Sequence, residues 1–340
     1  MKIGVIGLGY WGPNLVRNFL SQKEVKSIIA CDLREERLET VKEKFPSVEI
    51  TRDCKDIIDG NVDIAVIATP VNTHYKFARK ALEAGKHIWV EKPFTSTSEE
   101  AEDLIELAEK KNLKIFVDHT FIYNGAVRKI KELVDKKELG NIIYFDSERI
   151  NLGLFQKDIN VVWDLAPHDL SIMNYLLSSH KIKALVANGI ANFNGKENLA
   201  HLCVYFEDNC FAHFHVNWIS PVKIRRIIVG GDKKMLVYDD MENFEKIKVY
   251  DSGVEFKSAE SIHEALVQYR TGDMFSPKVN QTEALALGAR EFISAINENR
   301  EPLTNGKDGL AVVKLLEAAD MSLSNMGKIV EIDTHLVSQI

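Results

Sequence analysis

One segment constrains this chain more than any other: Gly7-Leu8-Gly9-Tyr10-Trp11-Gly12, a G-x-G-x-x-G run. It follows directly on the strand-like Lys2-Ile3-Gly4-Val5-Ile6 and opens a helical pattern. Pro13 falls just inside the first turn of that helix, where its missing N–H costs nothing. In this context each glycine has a reason. The first permits a tight turn, the second lets backbone approach a pyrophosphate, and the third allows close helix–strand packing, with the helix N-terminus facing the phosphates. Asp32 ends the second strand about 20 residues on, where an acidic side chain accepts hydrogen bonds from a ribose diol. That favours NAD, because a 2′-phosphate would meet a like charge. Arg34 keeps NADP open, since Arg is the usual partner of that phosphate. Tyr10, Trp11 and Leu33, neighbours of these residues, complete the first set of candidate cofactor contacts.

The rest of the first third repeats the same alternation. Strand-like runs at Ile3–Ile6, Ser27–Cys31, Ile64–Thr69, His87–Val90 and Lys114–Val117 are separated by helical patterns at Asn14–Leu20, Glu35–Lys44, His74–Ala84 and Ser98–Lys111. Apolar, β-branched strands alternating with helices argue for a doubly wound parallel sheet covered on both faces, a Rossmann domain over residues 1–121. Gly85 is placed to cap the third helix, and Thr97 or Ser98 to open the fourth. After about Phe121 the pattern changes, and residues 122–340 read as a second, α+β domain. A helix at Asn124–Lys137 precedes strands at Ile142–Ile150, Ala184–Ala191, Leu202–Phe206, Phe211–Trp218, Ile224–Val229, Met235–Tyr238 and Lys246–Tyr250. Turn signals join several of these strands, which predicts a large, mainly antiparallel sheet. Phe211-Ala-His213-Phe-His215-Val-Asn217-Trp alternates apolar and polar residues, the mark of a sheet with one face wet or covered by a partner. Helical patterns return at Glu283–Glu298 and Asp308–Ser324, and Asp251–Val279 reads as an exposed loop with a short helix.

Composition excludes several classes of function. With 340 residues, 45% hydrophobic and 27% charged, the chain has the make-up of a globular protein of about two domains. A net charge of −7 with no Lys/Arg block speaks against a nucleic-acid partner. No apolar stretch reaches the ~18 residues that span a bilayer, and the chain opens without a signal-peptide pattern, so a soluble, cytoplasmic protein is expected. Cys31, Cys54, Cys203 and Cys210 form no zinc-ligand pattern and read as buried, reduced thiols. His213 and His215 share a strand face, but without an adjacent acidic or Cys partner they read as sheet-face residues, and no metal is expected.

Two further segments carry chemistry. Glu91-Lys92-Pro93 follows a strand whose carboxyl end faces the cofactor cleft of such a sheet. A partly desolvated Lys there can shuttle a proton; the bland reading is an ordinary surface Lys. In Trp163-Asp164-Leu165-Ala166-Pro167-His168-Asp169, Pro167 suits the first turn of the following helix, which would set Asp164 and His168 at its mouth. An imidazole suits removal of a hydroxyl proton at neutral pH, and Asp164 could orient that hydroxyl or the His; equally, Asp164 could cap the helix and His168 be structural. His74 and His119 lie at strand ends on the cofactor side, each as open to a structural role as to a contact.

Together these segments resemble the glucose–fructose oxidoreductase/inositol dehydrogenase/rhizopine-catabolism (Gfo/Idh/MocA) family over nearly the whole chain. The markers are the glycine run, Ala68-Thr69-Pro70 with Asn72 and His74, Glu91-Lys92-Pro93, and Asp164-x-x-x-His168. The resemblance implies Lys92, Asp164 and His168 as the catalytic set, cofactor contacts at Thr69, Pro70, Asn72, His74, Glu91 and Lys92, and an open-faced sheet used for oligomerisation, as a dimer or tetramer. His119-Thr120-Phe121-x-Tyr123-Asn124, Asn151-x-Gly153 and Trp218-x-x-Pro221-x-Lys223 are similar to the branch acting on nucleotide-linked sugars, of the UDP-N-acetylglucosamine 3-dehydrogenase kind. Asp118 and Ala284 depart from the family pattern, which has a small residue and a Pro there. The implied substrate contacts are Tyr123, Asn124, Arg149, Asn151, Asp164 and His168, and Arg128, Lys129 and Lys131 are basic candidates for a nucleotide. The implied reaction is hydride transfer between a sugar carbon and NAD. The alternatives are a free-sugar or inositol dehydrogenase, a 3-keto-sugar reductase, and a non-catalytic NAD-sensing protein.

Overall fold

The computed structural model describes residues 1–153, 158–193, 195–255 and 268–332. Internal contacts divide the chain into two units: Met1–Tyr123 with Thr282–Glu317, and Asn124–Gln281 with Ala318–Ile340.

The first unit is built on strands β1 (Lys2–Ile6), β2 (Ser27–Cys31), β3 (Glu49–Thr51), β4 (Ile64–Ile67), β5 (His87–Glu91) and β6 (Ile115–Asp118). They form one parallel sheet in the order β3-β2-β1-β4-β5-β6. Order reverses at β1, the topological switch point at which such sheets bind ligands beyond their carboxyl ends. The strands are apolar without alternation because both faces are covered; all four residues of β4 are buried. Helices α1 (Gly12–Leu20), α2 (Glu35–Lys44), α3 (Lys55–Ile58), α4 (His74–Glu83) and α5 (Ser98–Lys111) make the crossovers. Thr97 opens α5 by accepting the Glu100 N–H at 3.2 Å, while the Glu100 carboxylate reaches back to the Ser96 N–H at 3.0 Å. Gly85 follows α4 with a φ of +77°. β3 and α3 have no counterpart in the sequence reading: three residues of strand and one helical turn are too short to show a period.

The second unit begins with α6 (Gly125–Asp135), β7 (Ile142–Leu152) and α7 (Val161–Leu176). There follow β8 (Ile182–Ile190), β9 (Leu199–Phe206), β10 (Phe211–Asn217), β11 (Ile219–Gly231), β12 (Met235–Asp239), β13 (Ile247–Tyr250), β14 (Gly253–Glu255), β15 (Gln268–Arg270), β16 (Met274–Phe275) and β17 (Val330–Glu331). Nine of them form one sheet, β16-β13-β12-β11-β7-β10-β9-β8-β17, in which β10 and β7 run parallel and the other neighbours antiparallel. β14 and β15 pair separately, so the described part of Asp251–Val279, expected as a loop with a short helix, carries three short strands joined by irregular residues; residues 256–267 of that stretch lie outside the described residues. In β9 and β10 buried residues alternate with open ones. The open face carries a ladder of three imidazoles: the rings of His201 and His215 stack at 4.3 Å, and His201 Nδ1 lies 3.2 Å from His213 Nε2. Asp146 takes the other His213 nitrogen at 2.7 Å. This is the sheet-face setting read for His213 and His215.

The first boundary of these units, at Tyr123, lies beside the division expected at residue 121, and the last helices, α8 (Ala284–Asn297) and α9 (Gly306–Ser324), add a return of the chain to the first unit. Thr282–Glu317 belongs with the parallel sheet, not with the domain that precedes it. Arg17 of α1 makes a two-point ion pair with Glu283 at 2.8 and 2.6 Å. Phe292 of α8 packs edge-on at 6.1 Å against Trp89, which stacks on Phe116 at 3.8 Å. A Cβ on Gly309 of α9 would sit 2.8 Å from Val117 and 3.0 Å from Phe94.

Candidate active site

The glycine turn at the end of β1 is shaped by contacts a side chain would destroy. Gly7 adopts φ +97°, and a Cβ there would fall 2.5 Å from the Ala68 carbonyl oxygen. A Cβ on Gly12 would fall 2.3 Å from the Gly7 carbonyl oxygen, the close helix–strand approach expected of the third glycine. Gly9 is different. Its added Cβ would meet only Arg37 Nη1, at 3.5 Å, so the absence of a side chain there leaves open space instead of satisfying a protein contact. That space, beside the α1 N-terminus, suits a pyrophosphate. Large apolar side chains stand exposed around it: Tyr10 is 82%, Trp11 40% and Leu33 79% accessible.

Asp32 does more than the sequence suggested. It is nearly buried, and its carboxylate accepts the Leu8 N–H at 2.8 Å and the Arg34 N–H at 3.0 Å, so it fastens the glycine turn to β2. Arg34 and Arg37 flank the same carboxylate at 3.5 and 3.6 Å. Arg37 carries no motif of its own; its place three residues after Arg34 on α2 is the only signal that could have flagged it. The acceptor, the open turn and the helix N-terminus together fit a dinucleotide.

On the other side of the switch point, the ends of β4, β5 and β6 bring Thr69, Lys92 and His119 to one edge of the first unit. His74 is buried, with its ring nitrogens 2.8 Å from the Thr69 carbonyl and 2.9 Å from that of Pro93. It therefore joins the Thr69-Pro70 turn to the Lys92-Pro93 loop, a structural role, and burial lowers its pKa against those carbonyls. Thr73 donates to the Thr69 hydroxyl at 2.7 Å, while Pro70 and Asn72 are exposed on the same turn. Lys92 is half-buried and precedes a cis Pro93. His119 is buried, with no hydrogen-bond partner at either ring nitrogen among the described residues, and burial, reinforced by the Lys92 charge, takes its pKa down to about 3. An orphaned imidazole at a strand end fits a polar group of a bound molecule.

In the second unit α7 carries the other candidates, and here the sequence reading of the helix start is corrected. Pro167 is inside the helix, not in its first turn. Asn160 caps the helix instead, its side-chain oxygen accepting the Val162 and Trp163 N–H groups at 3.1 Å each. Pro167 leaves the Trp163 carbonyl without its helical donor, a loss the strong cap and the buried surroundings override. Asp164 thus lies in the first turn, and His168, four residues on, shares its face. Both are half-buried, and Asp164 accepts the Trp218 indole N–H at 3.0 Å. Trp218, fully buried, packs on Gly153, where a Cβ would come within 2.4 Å of the indole. The Asn151-x-Gly153 and Trp218 segments thus meet to hold Asp164, a role for Trp218 that sequence spacing did not reveal.

The other expected substrate contacts have these surroundings. Tyr123 is buried, its hydroxyl 3.1 Å from that of Thr304. Arg149, also buried, is clamped two-point by Asp169 at 2.8 and 2.7 Å. Asn124 caps α6 through the Ala126 N–H at 2.8 Å. Lys129 and Lys131 pair with Glu132 and Asp135 along α6. Asn151 is half-buried near the end of β7. All four cysteines are free thiols, Cys31 and Cys210 buried and Cys54 and Cys203 half-buried. Among the described residues, no cluster of three or more His, Cys, Asp or Glu is arranged to hold a metal ion, and no helix is long and apolar enough to cross a membrane.

Comparison with known proteins agrees with this geometry. Residues 1–119 match the oxidoreductase family with an NAD-binding Rossmann fold, and residues 127–237 match the GFO/IDH/MocA C-terminal domain. An uncharacterized oxidoreductase of Schizosaccharomyces pombe is 35% identical over 139 residues, 41% of this chain and 37% of that protein. The UDP-N-acetylglucosamine 3-dehydrogenase of Acidithiobacillus ferrooxidans is 25% identical over 92% of this chain and 94% of its own. Its solved structure superposes with a TM-score of 0.79 over 96% of this chain and 98% of that one, at 23% identity. Scyllo-inositol dehydrogenase from Lactobacillus casei, solved with NAD(H) and scyllo-inositol, gives a TM-score of 0.78 at 20% identity, covering 97% and 98%. With both of its domains matched and its glycine turn built for a dinucleotide, the chain belongs to the Gfo/Idh/MocA family of NAD(P)-binding oxidoreductases.

Proposed function

We propose that this protein is an NAD-dependent dehydrogenase acting on a secondary hydroxyl of a sugar, with C3 of a UDP-linked N-acetylhexosamine or its uronate as the preferred substrate. The observation that carries the catalytic reading is the face of α7, where Asp164 and His168 lie one turn apart, both half-buried, with Asp164 fixed by the Trp218 indole. His168 accepts the hydroxyl proton at Nε2, the ring nitrogen opposite the buried Nδ1. Asp164 orients that hydroxyl. Lys92 stabilises the oxygen as it gains charge. The nicotinamide, when bound, supplies the hydride acceptor. Asp32 takes the ribose diol, which supports NAD. A second reading, NADP, is favoured by Arg34 and Arg37 flanking that carboxylate, since two guanidinium groups suit a 2′-phosphate. The likeness to the UDP-N-acetylglucosamine 3-dehydrogenase over most of both chains supports the nucleotide-sugar branch. The open face of the nine-stranded sheet, with Tyr205 and Phe211 in edge contact at 5.5 Å on it, supports a homo-oligomer, dimer or tetramer.

The test is the pair of variants Lys92→Ala and His168→Ala, assayed by NAD titration and by turnover. Both should bind NAD as the wild type does and lose about 10²- to 10⁴-fold in kcat, the usual share of a general acid–base group. Wild-type turnover in either variant would remove that residue from the mechanism.

A further inference from the structure

Beneath Lys92 the first unit contains a feature the mechanism above does not use. Glu91 and Asp118 are the last residues of β5 and β6, and they are register partners across those adjacent parallel strands. Both are buried, at 7% and 2% exposure. Among the described residues Glu91 Oε1 and Asp118 Oδ2 accept no well-aligned hydrogen bond, although the buried Trp89 indole N–H reaches toward Asp118, while the second Asp118 oxygen accepts the Thr120 hydroxyl at 2.7 Å. Two ionised carboxylates so placed would repel each other with no water to screen them. One proton held between the orphaned oxygens removes the conflict. We propose that Glu91 and Asp118 form a one-proton carboxyl pair, with Glu91 neutral and donating to an ionised Asp118, which presents a single fixed negative charge to Lys92 and makes Asp118 a positioning residue for that lysine.

The electrostatics run the same way. Burial, then the Asp118 charge, lifts Glu91 well above the ordinary carboxylate range. Burial lifts Asp118 to about 6, against the hydrogen bonds from Thr120, Glu91 and Trp89 and the Lys92 charge, all of which favour its ionised form. The other titratable groups that feel this corner are Lys92, His119, which is neutral, and Tyr123. Lys92 is the one cation among them. Glu91 precedes Lys92 directly in the chain, so the pair lies at the base of the loop that carries it.

The inference rests on the reading in which Lys92 assists the substrate oxygen, and its test is independent of turnover. Infrared spectra of the NAD-free protein at neutral pH should show the carbonyl band of a protonated, buried carboxylic acid. Labelling glutamate carboxyls with carbon-13 should shift that band, and Glu91→Gln should remove it. The glutamate label also separates it from Asp308, a buried acid raised to about 7. Acylation of Lys92 by a small activated ester at fixed neutral pH, read by mass spectrometry, should be several-fold faster in the double variant Glu91→Gln/Asp118→Asn, which keeps no carboxylate there, than in wild type and unchanged in Glu91→Gln alone. Absence of a glutamic acid band in the wild type, or equal Lys92 acylation in wild type and the double variant, would overturn the pair. If both results hold while no sugar reduces NAD, the pair stands and the proposed reaction is what fails.

Discussion

In the first unit the candidate residues are held largely by main-chain groups. Asp32 takes the Leu8 N–H, His74 sits between two carbonyl oxygens, and Gly7 occupies a left-handed φ against the Ala68 carbonyl. In the second unit side chains do the holding: Trp218 fixes Asp164, Asn160 sets the start of α7, and Arg149 grips Asp169 in the middle of that helix. The first arrangement is sensitive to any added atom, because backbone cannot move aside. The second is sensitive to any lost atom, because each support is one side chain with a buried partner. The same kind of chemistry therefore rests on two scaffolds with opposite weaknesses.

Three substitutions would break or sharpen that contrast, read by chemical denaturation and steady-state kinetics. The largest effect is expected from Arg149→Met, which removes both hydrogen bonds to the Asp169 carboxyl at 1% exposure and should cost about 3–5 kcal/mol. The double variant with Asp169→Leu should recover most of that loss; failure to recover would mean the pair is more than a structural clamp. Next comes Gly7→Ala, where the positive φ and a 2.5 Å approach to backbone should cost about 2–3 kcal/mol and weaken NAD binding. A neutral result would show that the turn can shift, against the backbone-held picture. The smallest is Trp218→Phe, which keeps the ring and deletes the 3.0 Å bond to Asp164. It should cost about 1 kcal/mol of stability and lower kcat with little change in KM.

The same contrast explains what could be read from the chain. The parallel sheet was legible because its strands are unbroken apolar runs, and the glycine turn because its meaning is local: each glycine answers to a neighbour within one loop. The start of α7 was not legible, since Pro167 reads as a first-turn residue unless the Asn160 cap is known to hold the helix open ahead of it. The partners of Arg149 and Tyr123 were not legible for a different reason. A buried Arg–Asp clamp and a phosphate-binding Arg have the same sequence signature, and no local pattern announces Asp169 or Thr304 as the groups these side chains meet. The return of Thr282–Glu317 to the first unit depends on contacts such as Arg17–Glu283, 266 residues apart, which no periodicity reports.

The central claim is that the chain oxidises a sugar hydroxyl with NAD, and its most direct test is the near-ultraviolet absorbance of NADH in an anaerobic mixture of purified protein, NAD and UDP-N-acetylglucosamine. The uronate, free hexoses and inositols follow in parallel, and 2-oxoglutarate is added in a second series. The account predicts a rise that depends on substrate, is strongest with a nucleotide-linked sugar, and disappears in His168→Ala. A rise confined to inositols or free sugars would contradict the proposed substrate while keeping the reaction. A flat trace with every sugar, from a protein that binds NAD, would contradict the reaction itself and favour an NAD-sensing role.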